Sequence, residues 1–80
     1  MRMRVMRFST APIYVEIDNR DVGTANFDGL RAVKREAERR GVMEIAVYDG
    51  RKVMGGRLSA WWIWDHAQWN KRSLRSWKAA

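Results

Sequence analysis

The chain has no cysteine. That excludes a disulfide framework and a thiolate metal site, and it fits a reducing compartment. It has one histidine, His66, which cannot build a metal site without several carboxylate helpers. No apolar run is long enough to span a membrane or to form the core of a signal peptide. The opening MRMRVMRF alternates charge with apolar residues and reads as a strand rather than a transit peptide. Internal repeats, low-complexity segments and linkers are also missing. Negative charge is scarce: nine Asp and Glu face sixteen Lys and Arg, for a net charge of +7. The length and these absences lead us to expect one domain spanning residues 1–80, cytoplasmic, without a cofactor and without a membrane partner; the order of strand and helix signals below makes it α+β. A basic chain is drawn to nucleic acid and to acidic protein surfaces. The charge is uneven: Arg2, Arg4 and Arg7 open the chain, and Lys71, Arg72, Arg75 and Lys78 close it against Asp65 alone.

What the chain does have is tryptophan. Four of its five tryptophans, Trp61, Trp62, Trp64 and Trp69, lie in LSAWWIWDHAQWNKR. A chain of this length hides a smaller share of its surface than a large one, so core material matters. A Trp side chain buries roughly 150–250 Å².

Met3 to Phe8 predicts a strand whose alternation slips at Met6, and Ser9 to Pro12 predicts a turn. Ile13, Val15 and Ile17 alternate with Tyr14, Glu16 and Asp18, the two-residue period of a half-buried strand. Asp18 to Asn26 is rich in turn formers. Phe27, Leu30, Val33 and Ala37 then form one apolar helical stripe, with Asn26 as N-cap and Gly41 as the C-terminal glycine. Met43, Ile45 and Val47 alternate again, and Asp49-Gly50 signals a hairpin. Arg51 to Leu58 would return, with Gly55-Gly56 suggesting a bulge or a close backbone approach. The expected architecture is a mostly antiparallel sheet of about four strands with one central helix (ββαββ) and a C-terminal helix.

The start of that last helix has two readings. It begins near Ser59, or the strand continues through Trp64 and the helix begins after Asp65. The second is preferred, because Asp65 and Gln68 resemble a capping box and Trp64 and Trp69 a hydrophobic staple. Both put Trp69, Leu74 and Trp77 on the apolar side of the helix and Trp61 on the face opposite Trp62. Trp61 is then either a contact residue or a ring covering the sheet or packed under the chain end.

Chemistry has little to work with. Asp65 and His66 are adjacent, so on a helix their side chains diverge, and His66 reads as a boundary or surface residue. Glu16, Asp18 and Glu44 could share a sheet face, where pairing with arginines is favoured over hydrolysis. No serine has a nucleophile-elbow context, and there is no Walker loop. The expectation is a protein that is not an enzyme. The basic residues say more. Arg31, Arg35 and Arg39 recur every four residues on the central helix, and guanidinium forks suit phosphates or carboxylates. Lys34 can pair with Glu38 and Glu36 with Arg40, which leaves the stripe incompletely neutralised. Lys71, Arg72 and Arg75 would form a second strip. A solvated helix face is the competing reading of both. The candidate binding residues are therefore Arg31, Arg35, Arg39, Trp61, Lys71, Arg72 and Arg75.

Known nucleic-acid modules fit poorly, since strand order, aromatic signature and consecutive helices are all wrong for them. The segments IYVEI, FDGLRAVKREAERRG and MEIAVYDGRKV, roughly residues 13 to 53, make a sheet-helix-hairpin in one short domain. In size and organisation this resembles the small phage-borne anti-CRISPR proteins. The resemblance implies a cytoplasmic inhibitor in a phage-infected host cell. It implies stoichiometric docking on a CRISPR effector subunit and a block of target-DNA recruitment or nuclease action. Many such proteins are acidic DNA mimics. A basic chain would instead cover an acidic protein surface or contact nucleic acid held in the complex. Direct RNA or DNA binding, with Trp61 or Tyr48 stacking on a base, is the alternative. Monomer and homodimer both remain open.

Overall fold

Each alternating run becomes a strand, because a period of two puts every second side chain on one face. The computed structural model describes residues 1–8, 13–18, 20–23, 29–50 and 57–77. The strands are β1 (Arg2–Phe8), β2 (Tyr14–Ile17), β3 (Arg20–Gly23), β4 (Glu44–Gly50), β5 (Arg57–Asp65) and β6 (Gln68–Lys71). The helix α1 (Leu30–Arg40) joins the two halves, and a 3-10 turn (Leu74–Ser76) follows β6. The sheet order is β3-β2-β1-β4-β5-β6. Two antiparallel meanders thus meet along one parallel seam, β1 against β4, with Met3 opposite Ile45 and Val5 opposite Val47.

The α+β class and the mostly antiparallel sheet stand as the sequence implies. The strand count is larger, because both sheet edges are strands with a weak hydrophobic signature. The edge strand β3 falls in the segment expected to be turn. Asp49 and Gly50, expected as a hairpin turn, stay in the ladder opposite Arg7 and Phe8, and among the described residues β5 takes up the pairing with β4 from Arg57. The central helix starts at Leu30 with Gly29 as its N-cap, so the cap expected at Asn26 is a correction; Asn26, Phe27, Ser9–Pro12 and Gly55-Gly56 themselves lie outside the described residues.

The C-terminal helix is a correction. β5 continues through Asp65 and turns back at once into β6. His66 and Ala67 make the connection with φ of 54° and 58°, the two positive angles of a type I′ hairpin turn. Asp65 does accept a backbone hydrogen bond, from His66 N at 3.0 Å, but it closes a turn and not a helix. Trp64 and Trp69 do meet, at 5.2 Å between ring centroids and 69° between planes, as a cross-strand pair. WWIW is a run of strand formers, and its preference prevails over the capping pattern.

The core lies between α1 and one sheet face. Met3, Val5, Val15, Ile45 and Val47 from the strands meet Val33 and Ala37 from the helix, with Leu30, Trp62 and Trp69 packed at the margin. The helix ends in a Schellman motif. Gly41 N–H donates to Glu38 O at 3.1 Å and Val42 N–H to Ala37 O at 2.8 Å, with Gly41 at φ 73°. Among the described residues no helix is long and apolar enough to cross a membrane.

Candidate functional site: two charged aromatic faces

Strand alternation sends Trp62, Trp64, Trp69 and Lys71 to the helix side, and Trp61 and Ile63 to the open side of the sheet. The two sides have different chemistry.

On the open side, Arg2 grips Glu44 through two hydrogen bonds of 2.9 and 3.2 Å. Trp61 Nε1 donates to the same carboxylate at 2.8 Å. Trp77 stands edge-on to Trp61 at 5.3 Å, and the Arg2 guanidinium lies 4.2 Å from the Trp77 ring. Burial pushes the Glu44 carboxyl up, but the hydrogen bonds from Arg2 and Trp61 outweigh it and hold the group below its usual range. Arg4 pairs with Glu16 at 3.6 Å and lies 5.7 Å from the Tyr48 ring. The acids of this face therefore pair with arginines, as expected for Glu16 and Glu44. Of the two roles open to Trp61, the geometry is that of a ring packed under the chain end, with its N–H already engaged.

On the helix side, Arg31 and Arg35 are exposed and carry no ion pair among the described residues. Arg39 differs: it pairs with Glu36, which also accepts from Arg40 at 2.5 Å. The two guanidiniums hold the Glu36 carboxyl down at about 2. The expected Glu36–Arg40 pair is thus present. The expected Lys34–Glu38 pair is replaced by other contacts. Glu38 accepts from Trp69 Nε1 at 3.1 Å, and Lys34 Nζ sits 3.4 Å from the Trp62 ring centroid. Lys71 approaches the same ring at 5.8 Å. Burial against the ring and the charge of Lys71 lower the Lys34 pKa. Trp62 Nε1 is buried without a hydrogen-bond partner among the described residues.

The structure therefore divides the candidate residues. Arg31, Arg35 and Lys71 belong to the helix side, where Lys34 joins them. Arg39 lies on the same helix but is neutralised. Arg72 is exposed just beyond β6, and its N–H donates to Trp61 O at 2.8 Å. Arg75 sits in the 3-10 turn, on the segment that leads to Trp77 and the open side. The second basic strip is split across the sheet because the helix meant to carry it is absent. Leu74, expected on an apolar helix face, is 42% exposed. His66 is exposed at the hairpin tip, 3.5 Å from Asp65. Sequence reasoning missed Lys34 as a site residue. Its spacing to Glu38 suggested a local pair, and only the β5–β6 hairpin reveals that Lys71 comes to the same ring.

No family model matches the chain, and neither does any curated protein or solved structure.

Proposed function

We propose that the chain is a small non-enzymatic inhibitor of the anti-CRISPR type. It docks stoichiometrically on a CRISPR effector complex through the cationic outer face of α1 and blocks target-DNA recruitment. The observation that carries this reading is the pair Arg31 and Arg35, one helical turn apart and exposed, with no ion pair to an acid among the described residues. Ion pairs consume Arg2 and Arg7 on the sheet and Arg39 and Arg40 at the end of the same helix. Arginine left over on a rigid helix is well suited to bidentate contact with carboxylate or phosphate.

Direct nucleic-acid binding by base stacking is the weaker reading. Trp61 is covered by Trp77, and ammonium or guanidinium groups lie against Trp62, Trp77 and Tyr48.

The test is target-DNA cleavage by purified effector complexes of several types, titrated with the chain. Inhibition should saturate near one chain per complex. The Arg31→Glu/Arg35→Glu variant should raise the concentration required roughly tenfold or more, as loss of a hot-spot pair does. Its circular dichroism should match the parent, since both positions point to solvent. Failure to inhibit any effector type, or equal inhibition by the variant, would sink the reading.

A further inference from the structure

We propose that the seam between α1 and β6 is a phosphate clamp, in which the ammonium groups of Lys34 and Lys71 hold the phosphodiester backbone of a nucleic acid over the Trp62 ring. This goes beyond the docking reading and does not depend on which complex, if any, the chain inhibits.

Three observations carry it. Two lysines from distant parts of the chain converge on one indole, at 3.4 and 5.8 Å from its centroid. The ring attracts each ammonium group, but like charges brought together repel, and an anion bound between them would offset that repulsion. The acid one turn along the helix, Glu38, accepts from Trp69 Nε1 and has no ion pair to Lys34 among the described residues. Arg31 lies three residues before Lys34 on the same helix and Arg35 one turn after Arg31, so both add positive charge to the exposed surface beside Lys34. A surface with several separate positive charges suits a polyanion whose charges repeat. Lysine serves such contacts as a compact point charge with three rotatable donors.

The same geometry says how the nucleic acid would be read. The Trp62 ring carries an ammonium group, so a base has no open platform there. Contacts would go to phosphates, which position a strand without reporting its sequence. Binding should therefore be indifferent to base order and steeply dependent on salt.

The experiment is fluorescence anisotropy with short labelled oligonucleotides, single-stranded and duplex, across a salt series. A poly-glutamate peptide of matched charge serves as competitor. Lys34→Met/Lys71→Met should weaken binding roughly tenfold and reduce the slope of log K against log salt by about 1.4 for single strands or 1.8 for duplex, two phosphates' worth. The form whose affinity falls by the larger factor is the one the clamp prefers. Lys34→Arg/Lys71→Arg should restore binding. Arg20→Met/Arg57→Met removes two exposed charges elsewhere and should leave the slope unchanged. The clamp is overturned if the Met pair binds like the parent, if the Arg20/Arg57 control loses as much, or if poly-glutamate competes as well as unlabelled oligonucleotide. Effector inhibition without oligonucleotide binding would overturn the clamp and leave the docking reading intact. Oligonucleotide binding without inhibition would do the reverse.

Discussion

Two single positions set the backbone conformation at chain reversals, and they do so in opposite ways. Gly41 occupies φ 73° at the end of α1, and an added Cβ there would meet nothing within 4 Å. The cost of Gly41→Ala is therefore conformational alone, about 1–2 kcal/mol for an L-residue forced left-handed. Ala67 sits at φ 58° in the β5–β6 turn and already bears that strain. Ala67→Gly should relieve it, and the gain is offset by the greater entropy glycine loses on folding. The expected net stabilisation is about 0.5–1 kcal/mol. In a domain of this size 1 kcal/mol moves the melting temperature by about 4–8 °C. Thermal melts should thus shift down for Gly41→Ala and up for Ala67→Gly. A melt lowered by Ala67→Gly would contradict the turn assignment.

The elements differ in how much of their stability is local. α1 was legible because its stripe of Leu30, Val33 and Ala37 and its terminal glycine agree with each other, and both reappear in the structure. β2 and β4 were legible for the same reason, since alternation and burial coincide at Val15, Ile17, Ile45 and Val47. β6 was hidden because Asp65 to Gln68 satisfies a helix-capping pattern equally well, and His-Ala lacks the Asn-Gly signature of a tight hairpin. What settles that segment is the partner strand: the ladder pairs Trp62 with Lys71 and Ile63 with Asn70 as well as Trp64 with Trp69, and only a chain that folds back makes all three. The candidate site suffered accordingly, since Lys71 reaches Lys34 only through that hairpin. A double-mutant cycle on Trp64→Ala and Trp69→Ala measures the element directly. An edge-to-face pair predicts a coupling of about 0.5–1.5 kcal/mol in urea unfolding. Additive losses would mean that the two rings do not meet.

For the whole molecule, the arrangement of charge matters more than its total. Sixteen cations are held against nine acids, and at least three of those acids are fastened to arginine: Glu44 to Arg2, Glu36 to Arg39 and Arg40, and Asp49 to Arg7. All three carboxyls have folded pKa values below their usual ones, Glu36 falling from 4.5 to about 2. A depressed folded pKa favours the folded state fully above the unfolded value. That contribution disappears as pH falls through the folded value. Stability from these groups is therefore constant near neutrality and declines below about pH 4.5. Protonation also removes the negative charge that offsets a strongly basic chain, so self-repulsion grows over the same interval. Glu44→Gln isolates the central pair. It keeps the shape of the side chain and leaves Arg2 without an anion, which should lower stability at pH 7 by about 1–3 kcal/mol, the worth of a hydrogen bond to a charged group. In acid the parent's own Glu44 becomes neutral, so the difference between parent and variant should shrink as pH drops below about 4. Urea midpoints measured across that range decide the matter. A deficit that stays constant down to low pH would show that Glu44 acts through its shape beneath Trp61 and Trp77 and not through its charge.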